Sequence, residues 1–174
     1  MWTPPETAAT VAEQFLNYAA WNMRSHYLPM IREAVEKLSD QELWMRPGDA
    51  SNSVGNLLLH LSGNIRQHII GGVGGAPDTR DRAGEFAAKE GQNKTELLAR
   101  LEATVNEACD VLAKFNPLQL LERRVIQNRE VVLFDDIFHV VEHFSLHTGQ
   151  ILFAVKALKN QGFDWYKSLD AKPK

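Results

Sequence analysis

Between Asp135 and Lys159 the chain sets apolar residues at helical spacing (Ile137, Val140, Val141, Phe144, Ile151, Val155, Leu158) and places histidines at 139, 143 and 147. A spacing of four stacks three imidazoles along one helix face, each about 6 Å beyond the last. Half of the six histidines therefore fall within nine positions of one helix. A buried imidazole must be neutral and satisfied, because an uncompensated charge or an unpaired ring nitrogen is costly inside a fold. The stripe thus asks for partners from another element.

Three other stretches carry the same periodicity. From about Glu6 to Lys37, Val11, Phe15, Tyr18, Ile31 and Val35 recur at helical spacing, and Met23 fits less well. Thr3 with Pro4 and Pro5 suits the start of this helix. Pro29 should kink or interrupt it near Leu28, having no N–H to donate. Ser39 reads as the cap of a short turn over Asp40 to Trp44, ended by Pro47-Gly48. Ser51, Asn52 and Ser53 offer N-caps for Val54 to Ile70, which Gly71-Gly72 should stop. Asn93 and Glu96 form a capping-box pattern ahead of a helix from Lys94 to Phe115. Gly71 to Asn93 holds six of the eleven glycines and reads as a long loop, with a short turn near Phe86 to Lys89. Loops of that length are usually functional or mobile. Val125-Ile126 and Val131-Val132-Leu133 suggest a small hairpin turning at Asn128. Asp135 is placed to cap the last helix, and Lys156, Lys159 and Gly162 suit its end. Phe163, Trp165 and Tyr166 then pack back on the helices. Four amphipathic helices of roughly 20 residues pack most economically as an all-α four-helix bundle, here a single domain over residues 1–174.

Composition narrows the function classes. Nineteen basic against 22 acidic residues give a net charge of −3. With no basic excess, nucleic-acid binding is not expected. One cysteine, Cys109, excludes an internal disulfide. It lies between Glu107 and Asp110, which would raise its thiol pKa, so it reads as a packing residue. The first residues lack a signal-peptide pattern. The longest apolar runs break at Glu142 and Lys156, short of the roughly 20 residues a membrane span needs. The expectation is a soluble cytoplasmic protein acting on a small-molecule substrate, with no nucleic-acid or membrane partner.

The histidines carry the chemistry. His139 and His147 lie roughly 12 Å apart along the axis, so only an adjacent pair serves one ion. A third ligand must come from elsewhere, and His60, within Leu57-Leu58-Leu59-His60-Leu61, is the best placed. A divalent ion such as zinc would satisfy several imidazoles at once. The alternative is that each histidine is a hydrogen-bonded core residue. His139-Val140-Val141-Glu142-His143 also spells the inverted zinc-peptidase pattern, which a His-rich helix matches easily by chance, and Glu142 otherwise reads as a charge on the solvated face. Gly71 to Gly75 lacks the strand and the Lys-Ser/Thr ending of a phosphate loop. Asp78, Arg80, Asp81 and Arg82 read as a solvated charge run, with Arg80 or Arg82 meeting an anionic substrate if the loop closes over the bundle.

Asn52-Ser53-Val54-Gly55-Asn56-Leu57-Leu58-Leu59-His60-Leu61-Ser62-Gly63-Asn64, followed by His143-Phe144-Ser145-Leu146-His147-Thr148-Gly149-Gln150-Ile151, resembles the DinB-like superfamily of damage-inducible and bacillithiol-transferase-type proteins. The resemblance runs over nearly the whole chain. It implies an up-down-down-up four-helix bundle, usually a homodimer, with His60, His143 and His147 as ligands of a divalent metal such as zinc or nickel. It implies a thiol-dependent transferase or isomerase using a low-molecular-weight thiol; many members have no known activity. His139 lies outside that ligand set and is a candidate general base. Asn64 and Gln150, each one turn beyond a ligand, are candidates to orient substrate or a ligand histidine. The reading is a metal-dependent S-transferase, with hydrolase as the variant. The competing reading is a non-catalytic, metal-stabilised bundle that binds a small ligand, with His26 or His68 closing the metal site.

Overall fold

The computed structural model describes residues 10–165. The expected helix start at Thr3 to Glu6, and Tyr166, lie outside the described residues. The chain is predominantly helical. Helix α1 (residues 11–36) runs as Val11–Trp21, a π-helical turn Asn22–Tyr27, and Leu28–Glu36. Short α2 spans Asp40–Leu43. Helix α3 (residues 54–73) joins Val54–Ile65 to a π-helical stretch Arg66–Val73. Short α4 is Arg82–Ala87, α5 is Lys94–Lys114, and α6 is Leu133–Lys159. Strands β1 (Arg123–Ile126) and β2 (Arg129–Val132) form an antiparallel hairpin, with Arg124 opposite Val131.

Side-chain chemistry explains the boundaries. Thr10, Ser39, Ser53 and Asn93 each accept from the N3 amide of the following helix while the N3 side chain returns to the cap. Ser39 and the Asn93/Glu96 pair thus act as expected, and Ser53 is the cap among the three candidates before α3. The hairpin turn puts Gln127 and Asn128 at φ 51 and 60, the left-handed pair of a two-residue I′ turn. Helix α6 begins earlier than expected, at Leu133. Its cap residue Val132 contributes no side-chain bond, and Asp135 lies in the first turn, where its charge suits the helix dipole. Asn160, in the left-handed conformation, ends α6 in place of Gly162.

The two π-helical turns resolve two misreadings. In α1 the buried apolar residues are Leu16, Ala19, Met23, Leu28, Ile31, Ala34 and Val35, a series with one five-residue step. That step falls within Asn22–Tyr27, where a wider turn adds one residue to the period. Met23 is therefore fully buried despite its poor fit to a 3.6 period, whereas Val11 is 88% exposed. Pro29 does not break the helix; it stands in the first turn after the wide turn, where its missing N–H is tolerated. Gly71-Gly72 likewise does not stop α3, which continues to Val73.

The four long helices enclose one core, with α1 and α3 each packed against both α5 and α6. Leu58, Leu61, Ile65, Leu101, Leu112 and Phe144 are among its fully buried side chains. Each such group contributes roughly 1.5–3 kcal/mol of transfer free energy. Trp44 is only partly buried, its indole donating to the Gln92 carbonyl at 3.0 Å, and Trp21 is also partly buried. Phe163 stacks on Trp165 at 4.2 Å, against Lys37 and Lys156. Cys109 is buried against the Ala20 carbonyl, and burial pushes its thiol up to about 11, so it is a packing residue. No helix among the described residues is long and apolar enough to cross a membrane.

Candidate metal centre

Every residue of α3 between Val54 and Ile65 is buried, so the helix has no solvent face there. His60 is forced inward, and its imidazole meets the middle of α6. Its Nε2 lies 3.0 Å from Nε2 of His143, which lies 3.1 Å from Nε2 of His147. Among the described residues these three form the one group of metal-ligating side chains, with ligand atoms within 4.8 Å of one another. The pair at positions 143 and 147 is thus the one that meets His60. His139 is exposed one turn earlier, its ring 5.6 Å from that of His143. Glu142 is exposed as well, which fits the solvated-face reading and removes it from a peptidase-like role beside the cluster.

The outer nitrogens show how the imidazoles are set. His60 Nδ1 lies 3.0 Å from Oε2 of Glu85, and His147 Nδ1 lies 2.8 Å from Oε1 of Gln150. Both partners are acceptors, so both rings carry their proton on Nδ1 and turn a bare Nε2 inward. Arg80 Nη2 is also 3.0 Å from His60 Nδ1, but a guanidinium only donates. That approach is a consequence of Arg80 gripping the Glu85 carboxylate, through Nε at 2.7 Å and Nη2 at 2.9 Å.

His143 decides what can sit between them. It has one proton to place. On Nε2 that proton reaches only one of two bare nitrogens; on Nδ1 it sits on a buried atom with no partner. Without a cation the cluster is always a hydrogen bond short. With a cation all three Nε2 atoms are satisfied. Zinc bonds of about 2.0–2.1 Å would space tetrahedral ligands by roughly 3.3 Å, close to the two separations through His143, with all three atoms within 4.8 Å. Burial, with the neighbouring His147 and His60 adding to it, pushes His143 down to about 3. Burial likewise lowers His147, against the Gln150 hydrogen bond. Both are held as neutral bases, the form that ligates metal.

Glu85 is the functional residue that the sequence did not reveal. It lies in the glycine-rich stretch read as a loop, yet it is 7% exposed. Burial pushes its pKa up, but hydrogen bonds from Arg80 and His60 outweigh this and hold the carboxyl below its ordinary value. The backbone around it is pinned from α3. Asn56 Nδ2 donates to the carbonyls of Glu85 (2.9 Å) and Ala88 (2.8 Å), and Arg46 donates to the carbonyl of Phe86 at 2.7 Å. Gly63 makes the room, since a Cβ there would lie 1.8 Å from Glu85 Oε1. The signal was indirect: a glycine one turn past His60 on a buried helix implies a close neighbour without naming it.

The remaining candidates are distributed around the cluster. Asn64 is buried with its Oδ1 unpaired and borders a cavity of about 500 Å3 shared with His60 and His143. Gln150 is engaged by His147. His68 donates from Nδ1 to buried Asp136 at 2.9 Å, and His26 stacks on Trp21 at 5.4 Å. Neither joins the three-histidine group, so neither closes it as a fourth ligand.

The sequence matches the family described as protein of unknown function (DUF1572) over residues 10–170. No curated protein matches it. Among solved structures it is similar to a conserved protein from Enterococcus faecalis, with TM-score 0.72 and 15% identity over 83% of this chain and 97% of that one. It is also similar to a DinB-like protein (YjoA) from Bacillus subtilis, with TM-score 0.65 and 19% identity over 86% of this chain and 98% of that one.

Proposed function

The chain belongs to the DUF1572 family and has a DinB-like fold, and from that premise we propose a metal-dependent enzyme in which His60, His143 and His147 hold one divalent cation. The observation that carries this is the convergence of three Nε2 atoms, two of them stripped of protons by acceptors on the far side of their rings. Three protein ligands leave coordination positions open, the pattern of a catalytic site. The cation, zinc or nickel, supplies Lewis-acid activation of a thiol or water nucleophile near neutral pH.

The chain's own residues do the rest. Glu85 and Gln150 keep the ligand rings in one tautomer, and Arg80 balances the buried carboxylate. Asn64 offers its amide to the substrate. His139, exposed at the cavity, takes a proton at a ring nitrogen. In thiol transfer the nucleophile's sulfur bonds to an electrophilic carbon, the leaving group departs with its electron pair, and the thiol proton passes to His139. Hydrolysis uses water in the same place. The up-down-down-up order, a single domain over residues 1–174, a cytoplasmic setting and a homodimer belong to the same proposal. Phe138, Leu146 and Phe153, exposed along α6, suit the homodimer.

The test is metal content by mass spectrometry on untagged protein, beside His60→Ala and His143→Ala. About one equivalent in the wild type, lost in both variants, supports the site and leads to a thiol-transfer screen. No metal after reconstitution overturns it.

A further inference from the structure

The cavity beside the three histidines is chemically one-sided. Its volume of about 500 Å3 suits a metabolite-sized ligand. All of its lining residues are polar, three are arginines (Arg80, Arg82, Arg129), and none is a carboxylate. The chain as a whole has more acids than bases, so this lining is a local concentration of positive charge.

The three guanidiniums differ in what they already hold. Arg80, with a side chain 3% exposed, spends its donors on Glu85 and Gln67, so its charge is balanced. Arg82 lies over the Phe86 ring at 5.0 Å, a contact that supports the guanidinium from one face and leaves its edge free to donate. Arg129 opens β2 immediately after the turn. Neither Arg82 nor Arg129 takes part in an ion pair among the described residues.

The hairpin that carries Arg129 is firmly seated. Arg124 Nη1 donates to the carbonyls of Gly72 (3.0 Å) and Val73 (2.8 Å), and Ile126 packs where a Cβ on Gly72 would come within 2.3 Å. The nearby acids Glu130, Asp135 and Asp136 line an adjoining hollow, which shares His68, Gln127, Arg129 and His139 with this cavity. Two unpaired guanidiniums thus line one polar cavity from two elements, together with Asn64, whose Oδ1 is buried without a partner.

We propose that this cavity is the binding site for a small hydrophilic substrate carrying a carboxylate or phosphoryl group, gripped by Arg82 and Arg129. The hairpin then acts as the specificity element. The inference rests on the metal-site reading only for which end of the substrate reacts.

Malonate and inorganic phosphate serve as probes, titrated calorimetrically at constant ionic strength into chelator-treated protein, with the malonate titration repeated after reloading the cation. The expected result is saturable one-to-one binding, weakened at least tenfold in each of the single variants Arg82→Gln and Arg129→Gln and unchanged in Arg32→Gln, which removes an equal charge elsewhere. Absence of saturable binding of both probes, or equal loss in Arg32→Gln, overturns the proposal. Anion binding without any cation binding keeps this inference and overturns the metal reading; cation binding without anion binding does the reverse.

Discussion

Glu85 holds together two things that are costly apart: a buried guanidinium and the orientation of His60. Removing one partner of a buried ion pair leaves an uncompensated charge, which costs about 3–5 kcal/mol. Glu85→Gln keeps the volume and one acceptor but loses the charge, so its cost in unfolding free energy should approach the lower end, about 3 kcal/mol, by denaturant titration. The same variant should bind the cation 10- to 100-fold more weakly in a chelator competition, as is typical when the partner of a ligand histidine is lost. Unchanged affinity would show that Glu85 serves the fold alone. Gly63→Ala makes a sharper case. In a helix interior this exchange ordinarily stabilises by about 1 kcal/mol. Here the new methyl displaces the Glu85 carboxylate from Arg80 and His60. The expected outcome is a net loss of about 1–3 kcal/mol, from hydrogen bonds broken in a buried site, together with weaker cation binding. A stabilised variant would contradict it.

Helix α2 has four residues and cannot persist alone, yet it ties two long helices together. Its Glu42 accepts from the Ser39 amide and from Lys159 of α6, both at hydrogen-bond distance. The Ser39 backbone bond, followed by that of Lys159, holds the Glu42 carboxyl down at about 2. A carboxyl lowered in the folded state contributes stability that is present above its unfolded value near 4.5 and disappears as pH falls toward 2. Thermal midpoints measured across that window should therefore fall less steeply in Glu42→Gln than in the wild type; identical acid limbs would show that the contact contributes nothing. At this scale the sequence was readable where side chains act locally. Ser39 and Asn93 announce the helices that follow them, the stretch Ser51 to Ser53 holds the cap of α3, and Asn128 between apolar runs marks the hairpin turn, in which Gln127 shares the left-handed conformation. The wide turns of α1 and α3 were not readable, because one extra residue in the period resembles a weak position such as Met23, or a stop such as Gly71-Gly72.

The three histidines come from two helices that are far apart in the chain, so a cation held by them cross-links α3 to α6. Ligand binding to the folded state alone stabilises it by RT ln(1 + [L]/Kd), about 2.7 kcal/mol at a free concentration of 100 Kd. The unfolding midpoint should rise with added zinc or nickel in the wild type. In His60→Ala, which retains both histidines of α6, most of that rise should vanish. A shift that persists in His60→Ala would mean that the His143 and His147 pair, or a surface site, accounts for the binding.

The amphipathic period of each long segment, set by which side chains prefer water, determined the helical architecture before any contact was known. The spacing of His143 and His147 likewise determined which imidazoles share a helix face, since that follows from 3.6 residues per turn. Neither could tell which adjacent pair meets His60, nor that a glycine-rich stretch folds back to place Glu85 and Arg80 behind it. Those outcomes depend on the relative height of α3 and α6, and on bonds such as Asn56 to the Glu85 carbonyl that span 29 positions. Residue spacing carries information along one helix, whereas contacts between elements are selected by packing of the whole core, and only the tertiary structure expresses that selection.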